Sequence, residues 1–189
     1  MLHRTRPLTA LLATLALGAV CAALAPGGST AQAPQPSPSL PGTWRLDGDL
    51  AQARQTVRQA VEPALASLTP DIQRLARARI AETTWVPQTI EIQASSDRIH
   101  VAFEGSESRT FETTPGQPQN VFSRSGVRAS LTQSFRSDGG IQQQFRAMDG
   151  TQYNFLIPQS DGQHLNLDVL MQSRRLNDDI RFSLRYRKQ

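Results

Sequence analysis

From Gln88 to the C-terminus the chain alternates apolar and polar residues in segment after segment, a period of two that restricts it to strands burying one face only. Ile90 and Ile92 alternate with Glu91 and Gln93, and Ile99, Val101 and Phe103 with Arg98, His100 and Glu104. Val127, Ala129, Leu131 and Phe135 alternate with Arg128, Ser130, Thr132, Ser134 and Arg136; Ile141 and Phe145 face away from Gln142, Gln144 and Arg146. Tyr153, Phe155 and Ile157 oppose Gln152 and Asn154; Leu165, Leu167, Val169 and Met171 oppose His164, Asn166 and Asp168. Ile180, Phe182, Leu184 and Tyr186 close the series against Arg181, Ser183, Arg185 and Arg187.

Turn residues separate these segments at close spacing: Ser95-Ser96-Asp97, Glu104-Gly105, Ser125-Gly126, Asp138-Gly139-Gly140, Asp149-Gly150 and Asp161-Gly162. Short turns join neighbouring antiparallel strands, so the connectivity is a meander. With Thr43 to Leu46 and weaker segments near Phe111 and Val121, the expectation is a mainly β fold, an antiparallel meander of about eight to ten strands that curls into a barrel and so removes its edges. Strands shorter than the roughly nine to eleven residues of a membrane barrel, short loops and the polar end Arg187-Lys188-Gln189 favour a soluble barrel.

Between the first strand and Gln88 the period changes. Leu50, Ala53, Val57, Ala60, Val61, Ala64, Leu65 and Leu68 recur at three and four, the stripe of an amphipathic helix. Pro63 is expected to kink or split it. Thr69-Pro70-Asp71 signals a second helix, with Thr69 as cap and Pro70 in the first position, running on through Ile72, Leu75, Ala76, Ile80 and Thr83 until Pro87 stops it. A two-helix insertion over 49–84 would then close one barrel mouth or pack on its flank.

The N-terminal part reads differently. Arg4 and Arg6 precede an apolar run from Leu8 to Leu24, and small residues follow, the order of a secretory signal over residues 1–31 with cleavage after Ala31. Cys21 has Val20 before it, where a lipidation site wants a small residue, so it is expected to leave with the signal. Residues 26–41 hold five prolines and no charge, and 32–41 read as a disordered linker. That leaves 42–189 as a single barrel domain, periplasmic or secreted, with no membrane span once the signal is removed.

Charge and motifs exclude more than they assign. Removing Arg4 and Arg6 from 20 basic residues leaves 18 against 16 acids, and only Lys188 is lysine, so no nucleic-acid partner is expected. His100 and His164 lie on the polar phase of their strands, no cysteine remains after cleavage, and neither a Gly-x-Ser-x-Gly elbow nor a phosphate loop occurs. No metal, cofactor or catalytic set is expected, and the reading is non-catalytic.

Gly42-Thr43-Trp44 at the head of the first strand, followed by a meander that ends in Phe182-Ser183-Leu184-Arg185-Tyr186-Arg187, resembles the lipocalin and calycin pattern and small exported bacterial proteins of lipocalin-like type. The resemblance implies that Trp44 sits at the barrel floor with Arg185 or Arg187 packed across it. It also points to a small apolar or amphipathic molecule as partner. Trp44, Phe103, Phe135, Phe145, Tyr153, Phe155 and Phe182 share the expected inward phase and could line a cavity. Gln133 and Gln143 join them as inward amides that need partners. The other reading is a cell-envelope interaction protein with a filled core, for which the same aromatics are packing.

Overall fold

The computed structural model describes residues 34–123 and 126–189. The expected signal, its cleavage point at Ala31 and Cys21 lie outside the described residues. The elements run β1 Gly42–Leu46, α1 Leu50–Leu65, α2 Pro70–Ala81, β2 Thr89–Ala94, β3 Ile99–Glu104, β4 Ser108–Thr113, β5 Pro118–Phe122, β6 Arg128–Phe135, β7 Ile141–Arg146, β8 Gly150–Pro158, β9 His164–Ser173 and β10 Ile180–Lys188. All ten strands belong to one antiparallel sheet in the order β4-β3-β2-β1-β10-β9-β8-β7-β6-β5. The sheet curls until its first and last strands close on each other, and β1 joins β2 to β10 by pairing Trp44 with both Ile90 and Lys188.

The barrel is nearly closed. No ladder joins β4 to β5, so the expected removal of every edge stops one strand pair short. Pro118, which has no N–H to donate, opens β5 beside the break. Side chains bridge what the backbone leaves open: Phe111 of β4 meets Phe145 of β7 edge to face at 5.2 Å, and Gln133 of β6 reaches Thr113 of β4.

The helical pair follows the first strand. Asp49 caps α1 by accepting from the Gln52 N–H at 3.2 Å. Pro63 neither splits nor ends this helix, because it falls in the last turn, where its missing N–H removes a single bond near a terminus that frays anyway. Ala53, Val57, Val61, Ala64 and Leu65 of α1 are buried in the barrel core, whereas α2 buries none of its residues. The second helix stops at Ala81, six residues before Pro87, since the Thr83 and Thr84 hydroxyls both donate to the Ile80 carbonyl and turn the chain away.

Two ends of the barrel now differ. The turns after β3, β5, β7 and β9 share one end with the helices, and the turns after β2, β4, β6 and β8 share the other with residues 37–41 and the end of β10. The second end is the floor, and residues 37–41 are part of it. Ser37 N–H donates to the Gly139 carbonyl at 2.9 Å, Leu40 is fully buried, and its carbonyl accepts from Trp44 Nε1 at 3.0 Å. The disordered linker expected over 32–41 is therefore ordered in its last residues. Its polar, uncharged composition hid one apolar anchor, and proline lowers the entropy lost on ordering. Gly139 makes this approach possible: its φ is +78°, and a Cβ there would lie 2.9 Å from Ser37 N.

Trp44 stands at this floor, with no exposed surface. The cation across its ring is Lys188, 5.0 Å from the centroid, and Lys188 Nζ also donates to the Ser39 carbonyl at 2.7 Å. Arg185 and Arg187, the expected partners, are exposed on the opposite phase of β10. Trp44 pairs with Lys188, so register chooses the lysine. Among the described residues no helix is long and apolar enough to cross a membrane.

Candidate functional site

Cross-strand register decides which sequence candidates enter the barrel. Phe103, Phe135, Phe145 and Phe182 face inward, as do Gln133 and Gln143, which are fully buried. Tyr153 and Phe155 do not. On β8 the pairs Asn154 with Gln143 and Leu156 with Ile141 put Asn154 and Leu156 inside, both buried, and send Tyr153 and Phe155 to the outer face. There the two rings stack at 5.9 Å, and the Arg136 guanidinium lies 5.0 Å over Phe155. The run Phe155-Leu156-Ile157 is apolar on both phases, so alternation alone could not show which side turns in. The neighbouring strands settle it.

The inward residues fall into two layers. Around the floor Leu40, Trp44, Ile99, Ile141, Leu156 and Leu165 have no exposed surface, and Phe135 packs half-buried beside Ile141. Toward the helical end Ile90, Phe103, Leu131 and Ile180 are buried, while Phe111, Phe145, Phe182, Val121, Ala129 and Met171 on the same inward phase stay half-buried. Phe103, Phe111 and Phe145 form a contiguous aromatic group there, with centroids 6.2 Å and 5.2 Å apart and the rings edge to face.

Two polar features complete this mouth. Arg109, on the inward phase of β4 opposite Phe103, donates to the Glu82 carbonyl at 2.7 Å and to Glu107 Oε2 at 2.8 Å. Its guanidinium sits 5.9 Å from the Trp85 ring. An amide chain crosses the interior between the layers: Gln133 Nε2 donates to the Ile99 carbonyl and to Thr113 Oγ1, both at 3.1 Å, and accepts at Oε1 from Gln143 Nε2 at 2.7 Å. Asn154 Nδ2 donates to Gln143 Oε1 at 3.1 Å, and Gln152 Nε2 to Asn154 Oδ1 at 2.9 Å. The chain ends where Gln152 Nε2 approaches the Thr83 carbonyl, just past α2, at 3.5 Å. The two amides expected to need partners thus partner each other and two more. Asn154 and Gln152 escaped sequence reading because they share the misassigned phase of β8.

Little on the outer face points to chemistry. His100 Nδ1 lies 3.2 Å from Glu112 Oε2, and His164 Nδ1 lies 2.6 Å from Asp161 Oδ2. Among the described residues no group of three or more His, Cys, Asp and Glu side chains could hold a metal ion. Bonds from His164 and from the Gln163 N–H lower the Asp161 carboxyl to about 2. Burial pushes the Tyr186 phenol well up, and its hydroxyl donates to the Pro87 carbonyl at 2.9 Å.

No family model matches the chain, and no curated protein matches it by sequence. Among solved structures the chain is similar to the REP1-NXSQ fatty acid transporter, with a TM-score of 0.50 and 14% identity over 81% of this chain and 98% of that one. A Schistosoma mansoni fatty-acid-binding protein in complex with arachidonic acid gives a TM-score of 0.49 at 12% identity, over 80% of this chain and 97% of that one. Fatty-acid-binding protein 1 of Echinococcus granulosus gives 0.48 at 8%, over 79% and 97%. At 14% identity the likeness is one of fold: a ten-stranded, nearly closed antiparallel barrel with a helical pair after the first strand.

Proposed function

We propose that this protein is an exported, soluble, non-catalytic barrel that binds a small apolar or amphipathic molecule at its helical mouth. One observation carries the reading: among the inward side chains of the helical half, the apolar group Phe111, Phe145, Phe182 and Met171 is only half-buried, with Phe111 and Phe145 in contact, beside a floor whose Leu40, Trp44, Ile99 and Ile141 are sealed. Apolar surface gathered inside a barrel and left partly wet is a place where an apolar molecule gains by displacing water. The chain's likeness in fold to a fatty acid transporter supports this direction. The filled floor sets the shape of the site: a ligand lies across the mouth and stops at the level of the amide chain. Export rests on the charged, apolar and small-residue order of residues 1–31.

Fluorescence titration of the purified protein with Nile red, together with native mass spectrometry of protein from its own host, tests the reading. Saturable dye binding that is lost in Phe145→Arg, with the thermal midpoint of the variant measured alongside, is the expected result. Absence of both dye binding and any retained adduct would leave the envelope interaction protein as the better account. That account draws on Phe122 and Met148, 68% and 90% exposed, which stand on hairpin tips at the helical end.

A further inference from the structure

We infer that the molecule bound at this mouth carries a neutral, hydrogen-bond-donating head group, a hydroxyl or a carboxamide, and not a carboxylate; the inference rests on the binding reading above and names its ligand class. The amide chain has a direction. Its deepest partner is the main-chain carbonyl of Ile99, which can only accept, so Gln133 must turn its amino group toward it. Gln133 Oε1 is then left to accept from Gln143 Nε2, Gln143 Oε1 from Asn154 Nδ2, and Asn154 Oδ1 from Gln152 Nε2. Along the chain each amino group faces the preceding member and each carbonyl the following one, from the Ile99 carbonyl around the wall to Gln152.

Dipoles aligned in this way polarise one another, and the negative end falls on Gln152 Oε1. Among the described residues Gln152 bonds only through Nε2, to Asn154 Oδ1 at 2.9 Å and to the Thr83 carbonyl at a long 3.5 Å. The chain therefore offers the mouth one open acceptor and one weakly held donor. A hydroxyl or amide head uses both. A carboxylate, which only accepts, can use the donor alone and sets its charge against the open Gln152 Oε1. Arg109 does not correct this, because Glu107 already balances its charge at 2.8 Å and the Glu82 carbonyl takes a further bond at 2.7 Å. Drawing Arg109 to a ligand anion would break that pair, and a carboxylate buried without a cation is costly.

Displacement of Nile red by three ten-carbon ligands, 1-decanol, decanamide and sodium decanoate, at about pH 8 where the acid is ionised, tests the inference. One hydrogen bond gained against one repelled predicts that the alcohol and amide compete at concentrations about tenfold below decanoate. Gln152→Leu, which keeps the apolar walls, should bind the dye and lose the preference. Glu107→Gln should improve decanoate selectively by freeing Arg109. Decanoate competing as well as or better than the neutral pair in the wild type overturns the inference while the binding reading stands. Dye binding that none of the three ligands displaces overturns the inference too, and no dye binding at all removes both.

Discussion

Gln133 shows how much can hang on one buried side chain. Its amide serves the Ile99 carbonyl, Thr113 Oγ1 and Gln143 Nε2 at once, with no exposed surface. Gln133→Leu strands all three, and we expect a loss of about 2–4 kcal/mol, read as a lowered urea midpoint at unchanged slope. A residue at the other extreme is Asp161, held down to about 2 chiefly by its bond to His164. Its folded value lies below the usual carboxylate value of roughly 3.9, so its contribution is complete above that pH and fades as pH falls through about 2. The unfolding midpoints of wild type and Asp161→Asn should differ near neutrality and converge as the pH is lowered through this window. A difference that persists unchanged to the acid end would exclude the carboxylate as its source.

Elements differ as sharply as residues. The first helix puts five side chains into the barrel core, and the second leaves Ile72 and Leu75 about half exposed. We expect Leu65→Ala in α1 to cost about 3 kcal/mol, while Ile72→Ser and Leu75→Ser stay within about 0.5 kcal/mol of wild type by denaturant unfolding. Amide hydrogen exchange should open Pro70–Ala81 well before Leu50–Leu65, because few buried contacts hold the former. Equal protection in both helices would contradict this difference in their hold on the barrel. Both helices were legible from their spacing of three and four, and so was the meander from its period of two. The reach of α2 was not, since two threonine hydroxyls ended it where sequence reading waited for a proline.

At the scale of the whole molecule the floor joins the segment before β1 to the end of β10. Leu40 enters it from the N-terminal side, and Lys188 covers Trp44 while binding the Ser39 carbonyl from the C-terminal side. Leu40→Ala should cost about 3 kcal/mol by urea unfolding and raise the proteolytic sensitivity of residues 34–41. A variant as stable as wild type would show that this segment rests on the barrel without supporting it. Composition, alternation and turn residues by themselves determined a β meander with a helical insertion, because these are local properties of a chain burying one face of each strand, and the position of Trp44 at the floor was implied only by the resemblance that Gly42-Thr43-Trp44 carries. Tertiary structure alone decided that Asn154 and Leu156 turn in where Tyr153 and Phe155 were expected, that Lys188 and not Arg185 or Arg187 covers Trp44, and that four amides join into one directed chain. Each of these is a matter of register between strands distant in sequence, and a shift of one residue exchanges the two faces of a strand without altering its alternation.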